Sequence, residues 1–368
     1  MASPTASTIG VKMKSSMALG AEYSGTGSLF EVLARIPHRV DELRGLLSRL
    51  PLTGLVDSAA RHGVSAWVAD ALGAAGHTLP EQQKLLADAR STIASAHKIR
   101  RLTNSVFDAL AAAGITPIAM KGSVLAERIY PTNPLCRPSS DVDVLVLPEE
   151  LDRVATQLAS LSLQRQVDDS LGDVFEDHHH LSFAGPAGLV EVHFRLISTF
   201  GRGLFDDAAI RSRALPYVFS QRPVRILSPE DEFLYLATHA ANHAYLRISW
   251  LVDLQQFIRL HPQLDFDAIA ARARDAGFAQ ALTVTLGLLE QLLAVELPAA
   301  ARKTLPPRRR RFIDQQLFSG ARLESAALST HRLASFALRL WLVDTPGSAV
   351  RHVVDGARRY ARRVTANR

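Results

Sequence analysis

Cysteine, aromatic residues and long apolar runs are all scarce in this chain. Among its 368 residues there is one cysteine, Cys136, so no disulfide can form within the chain, and a reducing compartment, the cytoplasm, is the expected location. Aromatic residues make up only 7%, which argues against an extended surface for stacking the bases of single-stranded nucleic acid. No apolar run reaches the roughly 20 residues that a membrane helix needs. The best candidate, Ala281 to Leu297, is broken by Glu290, Gln291 and Glu296. The first residues lack the apolar core of a signal peptide, so no membrane partner is expected. Charge, by contrast, is plentiful and uneven. With 42 Lys and Arg against 36 Asp and Glu, the net charge is +6 and the isoelectric point about 9.7, a balance that suits an anionic partner such as a nucleotide without demanding one. A hydrophobic share of 47% and a charged share of 21% describe a globular chain, long enough for two or three subdomains.

Two neighbouring stretches stand out, Ile118-Ala-Met-Lys-Gly-Ser-Val-Leu125 and Arg137-Pro-Ser-Ser-Asp-Val-Asp-Val-Leu-Val146. Ile115 to Met120 reads as a short buried strand, Gly122-Ser123 as a tight turn, and Val124 to Tyr130 as a helix. Asp141 to Leu147 reads as a second strand. Residues i and i+2 of a strand share a face, so Asp141 and Asp143 point one way while Val142, Val144 and Val146 point the other. Adjacent carboxylates repel unless a cation lies between them, and Mg²⁺ takes such oxygen ligands together with substrate phosphates. On this reading, replacing either aspartate by asparagine relieves repulsion and leaves the apo fold as stable or slightly more so. Gly122 and Ser123, at the start of a helix, supply the free amides and positive dipole end that suit a phosphate.

Before these stretches, residues 1 to 28 are rich in Ser, Thr, Gly and Ala and read as a flexible tail. Residues 29 to 114 read as a helical region punctuated by Pro37, Pro51 and Pro80. Its last segment places Leu85, Ala89, Ile93, Ala96, Ile99, Leu102, Val106 and Leu110 at helical steps, a stripe expected to pack on the sheet that follows. Residues 115 to 227 read as the strand-rich core, with a helix from Glu149 to Leu161 behind Pro148. Strands are expected from Val174 to Ala184 and from Leu189 to Leu196, joined at Gly185-Pro186-Ala187-Gly188, and one more at Val224 to Leu227. Residues 228 to 368 read as a C-terminal helical domain, opened by Ser228 as N-cap, Pro229 at the first helical position and Glu230, Asp231 and Glu232 in the first turn. Interleaved helices and strands imply an α+β fold with a mixed sheet.

The segments "AGITPIAMKGSVLAERIYP", "RPSSDVDVLV", "HHHLSF", "VEVHFRL" and "LATHAANHAYLRISWLVDL", from about Ala113 to about Leu254, resemble the polymerase-β-type nucleotidyltransferase superfamily. Within it the wording is similar to a bacterial branch of uncharacterised nucleotidyltransferase family proteins. The interval between Ser123 and Asp141 is longer than most of the superfamily has. The resemblance implies a third acid at Glu191, in the strand Val190-Glu-Val-His-Phe-Arg-Leu196, where Glu191, His193 and Arg195 share one face. It completes a cluster with Asp141 and Asp143 if the two strands are neighbours; Glu176 and Asp177 are the competing candidates.

The same resemblance implies transfer of a nucleoside monophosphate from an NTP co-substrate to a hydroxyl or amine, with release of pyrophosphate. Two Mg²⁺ ions, or Mn²⁺ in their place, would sit on Asp141, Asp143 and Glu191. The acceptor is a small molecule or peptide in preference to RNA. Two alternatives stay open: a non-catalytic nucleotide sensor or peptide-binding module on the same fold, and a γ-phosphoryl transferase.

Lys121 and Arg137 flank the phosphate-binding turn, as a point charge and a planar fork respectively. His239 and His243, one helical turn apart, read as hydrogen-bonding groups beside nucleotide or acceptor; without an adjacent Glu they do not match the zinc-hydrolase pattern. Asn242, Arg247, Trp250 and Asp253 lie in the same stretch with no assigned task. His178-His179-His180 reads as a polar strand end, and the basic runs Arg308 to Arg311 and Arg358 to Arg363 as solvated surface or a secondary nucleic-acid contact.

Overall fold

A computed structural model of the chain describes residues 28–35, 40–47, 54–79, 81–166, 179–197 and 205–305, with shorter pieces between 313 and 357. The tail up to residue 27, Pro37, Pro51 and Pro80, the segment with Glu176, Asp177 and His178, and both basic runs lie outside the described residues.

Four helices, α1 (Ser28–Leu33), α2 (Val40–Leu47), α3 (Leu55–His62) and α4 (Ser65–Ala74), lead into the long α5 (Gln82–Ala112). The strand-rich part follows as β1 (Ile118–Ala119), α6 (Gly122–Ile129), β2 (Asp141–Leu145), α7 (Leu151–Ser160), β3 (Gln164–Arg165), β4 (His180–Gly185), β5 (Gly188–His193), α8 (Asp207–Arg213), β6 (Leu215–Phe219) and β7 (Arg222–Ile226). Helices α9 (Pro229–Asn242), α10 (Ile248–Leu260), α11 (Phe266–Ala276), α12 (Ala279–Leu292), α13 (Ala299–Lys303), α14 (Gly320–Glu324) and α15 (Arg332–Trp341) complete the described chain. The fold is α+β, as expected: one mixed seven-stranded sheet in the order β3-β4-β5-β2-β1-β7-β6, with helices on both faces. No helix among the described residues is long and apolar enough to cross a membrane.

Strand alternation divides the core in two. Val142, Val144, Val190 and Val192 face Ile99, Leu102, Val106 and Leu110 of α5 and Val154 and Leu158 of α7. The stripe of α5 thus meets the sheet from Ile99 to Leu110, while Leu85 joins the other core and Ile93 stays exposed. The opposite face, carrying Ile118 and Leu145, joins a larger core that the N-terminal helices share with α9 to α12. Leu29, Phe30 and Leu55 belong to it together with Phe233, Leu251 and Leu289.

The β4–β5 hairpin turns at Gly185 to Gly188 as expected, whereas the β6–β7 hairpin was not foreseen. The β6–β7 hairpin closes through Ser220 and Gln221, both at positive φ (47° and 66°), the left-handed pair of a two-residue turn that usually carries Asn or Gly. Without that signal, β6 is not legible from the sequence. At the β4–β5 turn a Cβ on Gly185 would stand 2.2 Å from the carbonyl oxygen of Ser162, so only glycine lets β4 approach the turn before β3.

The start of α9 matches its sequence signals. Ser228 Oγ accepts from the Asp231 amide at 3.3 Å and donates to Asp231 Oδ2 at 2.8 Å. Arg213 and Arg272 also bind Asp231, which ties the helix start to α8 and α11.

Candidate active site

The sheet register sets the site. β2 and β5 run parallel, with Asp143 opposite Glu191, and the antiparallel β4 places His180 opposite His193. With the valines facing α5 and α7, the polar residues of β2 and β5 face α9 and α10. A cavity of about 990 Å³ opens there. Asp141, Asp143, Glu191, Lys121, Gly122, Arg137, His239 and His243 all line it. Ser123 does not: it is buried and lines a separate small crevice with Ala96, Arg100 and Leu135. Gly122 opens α6 at φ 63°, and a Cβ there would stand 3.4 Å from the Asp141 carbonyl, so the turn passes close beside the acidic strand.

Asp143 is the most enclosed acid. Lys121 Nζ lies 3.2 Å and His193 Nε2 3.1 Å from its Oδ1, while its buried Oδ2 has no hydrogen-bond partner among the described residues. Burial opposes its charge, yet Lys121 and then His193 hold the carboxyl well below the usual range. Lys121 in turn is kept charged: burial works against it, but Asp143, Tyr235, Asp141 and Glu191 raise it above an ordinary lysine. Asp141 behaves in the opposite way, pushed up to about 6 by burial and by the Asp143 charge. The repulsion behind the expectation that both aspartates relax on losing a charge therefore weighs on Asp141 alone. At Asp143 the like-charge repulsion is outweighed by the Lys121 ammonium and the His193 hydrogen bond, and removing the carboxylate strands a buried ammonium.

Glu191 stands between two imidazoles, with Oε2 at 3.6 Å from His193 Nε2 and Oε1 at 3.7 Å from His180 Nε2. Burial raises its pKa, but His193 and then His180 beside it bring it below the ordinary value. On the facing helix, burial and then Lys121 hold His239 well below the ordinary histidine range and bring His243 to about 4. Both are neutral rings at pH 7. They sit with Trp250 in an aromatic group, its ring centroid 5.0 Å from His239 and 5.3 Å from His243.

Arg137 points into this region without a free fork. Its guanidinium grips Asp253 of α10 through Nε at 3.1 Å and Nη2 at 2.8 Å, and Tyr130 donates to the same carboxylate at 3.0 Å. Arg137, expected beside phosphate, lines the cavity and fastens the loop before β2 to α10.

The acidic donors suit a hard divalent cation. Asp143, Glu191 and His193 offer ligand atoms within 4.8 Å of one another, Asp141 shares the cavity, and the partnerless Asp143 Oδ2 is a buried acceptor that such an ion would satisfy.

The sequence profile of the family described as uncharacterised nucleotidyltransferase matches residues 52–294. The chain belongs to this family. No curated protein matches the chain. Among solved structures, a partial likeness exists to the antibiotic-resistance factor ANT(2'')-Ia, studied in solution: 12% identity over 50% of this chain and 90% of that one, with a TM-score of 0.33.

Within the family span the site includes residues that the sequence reading left aside. His193 binds Asp143, and its signal was present, since it shares a strand face with Glu191. Tyr235 lines the cavity beneath Lys121, whose ammonium lies 5.9 Å from its ring; it precedes His239 by one helical turn, so helical period could have found it. The pairing of Lys121 with Asp143 had no sequence signal, because it depends on the meeting of β1 and β2.

Proposed function

We propose that the chain is a Mg²⁺-dependent nucleotidyltransferase, moving a nucleoside monophosphate from an NTP to a hydroxyl or amine. What carries the reading is the in-register pairing of Asp143 with Glu191, with Asp141 on the same strand face, over a cavity large enough for a nucleotide and an acceptor. Membership of a nucleotidyltransferase family supports it.

Asp141, Asp143 and Glu191 are the residues to hold divalent ions, two in the fullest form, which when bound supply charge at the transferring phosphate and acidify the acceptor hydroxyl. Lys121 keeps Asp143 ionised and adds positive charge where phosphate oxygens arrive. The Gly122 amide, at the start of α6, takes a phosphate oxygen. The acceptor oxygen attacks the α-phosphorus, the bond to the bridging α–β oxygen breaks, and pyrophosphate leaves with that electron pair. Glu191, flanked by His180 and His193, takes the acceptor proton or serves as an ion ligand. Neutral His239 and His243 with Trp250, their rings tilted to one another, offer an aromatic wall for a nucleobase or acceptor ring. Arg137 acts on this site as a positioning residue through Asp253.

The test is pyrophosphate release from each of the four NTPs in the presence of a deproteinised cell extract as the source of acceptor, with Mg²⁺ and then with EDTA. The expected result is Mg²⁺-dependent pyrophosphate formation that Asp141→Asn reduces at least a hundredfold. Nucleoside diphosphate with the γ-phosphate carried on an acceptor would favour γ-phosphoryl transfer, and tight NTP binding with neither product would favour a sensor.

A further inference from the structure

The carboxylates do not account for the histidines behind them. His179, His180 and His193 present ring nitrogens that all lie within 4.8 Å of one another, and all three line the cavity. Their backbone is fixed by the sheet rather than by a loose loop. His180 is the ladder partner of His193, and the carbonyl of His179 accepts from the amides of Phe194 at 3.0 Å and Arg195 at 3.2 Å. Three imidazoles are therefore held together at one end of the β4–β5 hairpin, next to the acidic strand.

Two details distinguish this from a chance ring cluster. His193 is buried, and its Nδ1 has no hydrogen-bond partner among the described residues. Its Nε2 meanwhile lies 3.1 Å from Asp143 Oδ1. An imidazole that gives one N–H to a carboxylate and keeps the other nitrogen free has the arrangement typical of metal-bound histidine, where the carboxylate fixes tautomer and ring direction. The second detail is spacing. His179 Nε2 and His180 Nδ1 are 3.1 Å apart. Metal–nitrogen bonds of about 2.0–2.1 Å in a tetrahedral site place ligand nitrogens roughly 3.3 Å apart, so that pair already stands near ligand separation. Closing the third side takes a ring adjustment of about 1.5 Å on the same scale.

We propose that His179, His180 and His193 form a nitrogen-lined site for one borderline divalent ion of the zinc type, distinct from the oxygen-lined site of Asp141, Asp143 and Glu191. The division follows ligand chemistry: imidazole nitrogens select zinc and its neighbours, while carboxylates suit magnesium. The remaining coordination position faces the cavity, open to water or to a substrate oxygen. Glu191, within 3.7 Å of His180 and 3.6 Å of His193, lies on the border between the two sites and would couple them.

The experiment uses the full chain without a histidine tag, stripped with EDTA and then dialysed. Zinc is titrated calorimetrically into wild type, His179→Ala, His180→Ala and Asp141→Asn, and cobalt is added to wild type as a spectroscopic probe. The expected result is one equivalent of zinc on wild type and on Asp141→Asn, at least tenfold weaker binding in each histidine variant, and intense visible cobalt bands of a four-coordinate nitrogen-rich site. The cobalt spectrum needs no variant, so a substitution that harms folding does not leave the proposal untested. Substoichiometric zinc on wild type, or uptake equal in wild type and both histidine variants, would overturn it. So would uptake lost in Asp141→Asn but kept in the histidine variants, because the ion would then belong to the carboxylates. None of these outcomes depends on NTP turnover, so failure here is separable from failure of the nucleotidyl-transfer reading.

Discussion

Asp141 and Asp143 sit two residues apart on one strand, yet their surroundings drive the two carboxyls in opposite directions. For Asp141 the folded pKa, about 6, lies above the ordinary value of 3.8. The folded state keeps a proton that the unfolded state releases, so this contribution is most favourable below about pH 4 and is lost as pH rises through about 6. Asp141→Asn carries no such penalty and is expected to raise apo stability at pH 7 by on the order of 1–2 kcal/mol, with little gain at pH 4. Asp143 has a depressed pKa and a buried ammonium as partner, so its charge is stabilising at neutral pH. Asp143→Asn leaves Lys121 without its closest counter-charge and is expected to cost about 3–5 kcal/mol. Urea unfolding of both variants at pH 4 and pH 7, without divalent ions, checks the pair. Shifts of the same sign at pH 7 would contradict the account. The strand alternation that pairs these acids was legible from Asp141-Val-Asp-Val; their unequal ionisation was not, because it arises from Lys121, in the turn between β1 and α6, and from His193, at the end of β5.

At the level of elements, the site depends on how β2 is fastened to α10. Arg137 lies in the loop before β2 and Asp253 in the middle of α10, and their buried fork is the tie between the acidic strand and the helix facing it. Arg137→Ala leaves Asp253 buried without a cation and is expected to lower stability by about 3–5 kcal/mol. Arg137→Lys, which keeps the charge and loses the planar fork, should fall between. Thermal unfolding together with NTP affinity decides between two roles. A large loss of stability supports the tie, whereas unchanged unfolding with weakened NTP binding would make Arg137 a phosphate ligand after all. From the sequence, Arg137 beside a phosphate-binding turn pointed to phosphate, since the partner lies 116 residues away and no local pattern announces it. The caps were readable for the opposite reason: Ser228, Pro229 and the acids after them act within one turn. Strands β3 and β6 escaped because the first is only two residues long and the second ends in a turn without glycine.

For the whole molecule, the sequence texture separates helical, strand-rich and helical regions, but the packing joins them. Phe30 and Leu55 from the N-terminal helices share one core with Phe233, Leu251 and Leu289 from the C-terminal ones, against the sheet face that carries the acids. The Phe30 amide also donates to Glu324 Oε1 at 3.1 Å, across nearly the whole chain. Residues 115 to 227 expressed alone would expose that face and are expected not to form a cooperative unit, which near-ultraviolet circular dichroism and thermal unfolding of the fragment can check. A sharp transition in the fragment would contradict this. The cavity has the same composite origin: Asp143 and Glu191 come from the sheet, His239 from α9, Trp250 from α10 and Arg339 from α15, which lies beyond the family span. The measurement that bears most directly on the central claim follows the two ends of one nucleotide. The chain is incubated with Mg²⁺, a deproteinised cell extract as the source of acceptor, and ATP, CTP, GTP or UTP labelled on either the α- or the γ-phosphate. Nucleotidyl transfer predicts that, for at least one NTP, α-label appears on a new species while γ-label leaves as pyrophosphate, both requiring Asp141. Label reaching the acceptor from the γ-position, or transfer unaffected by Asp141→Asn, would contradict it.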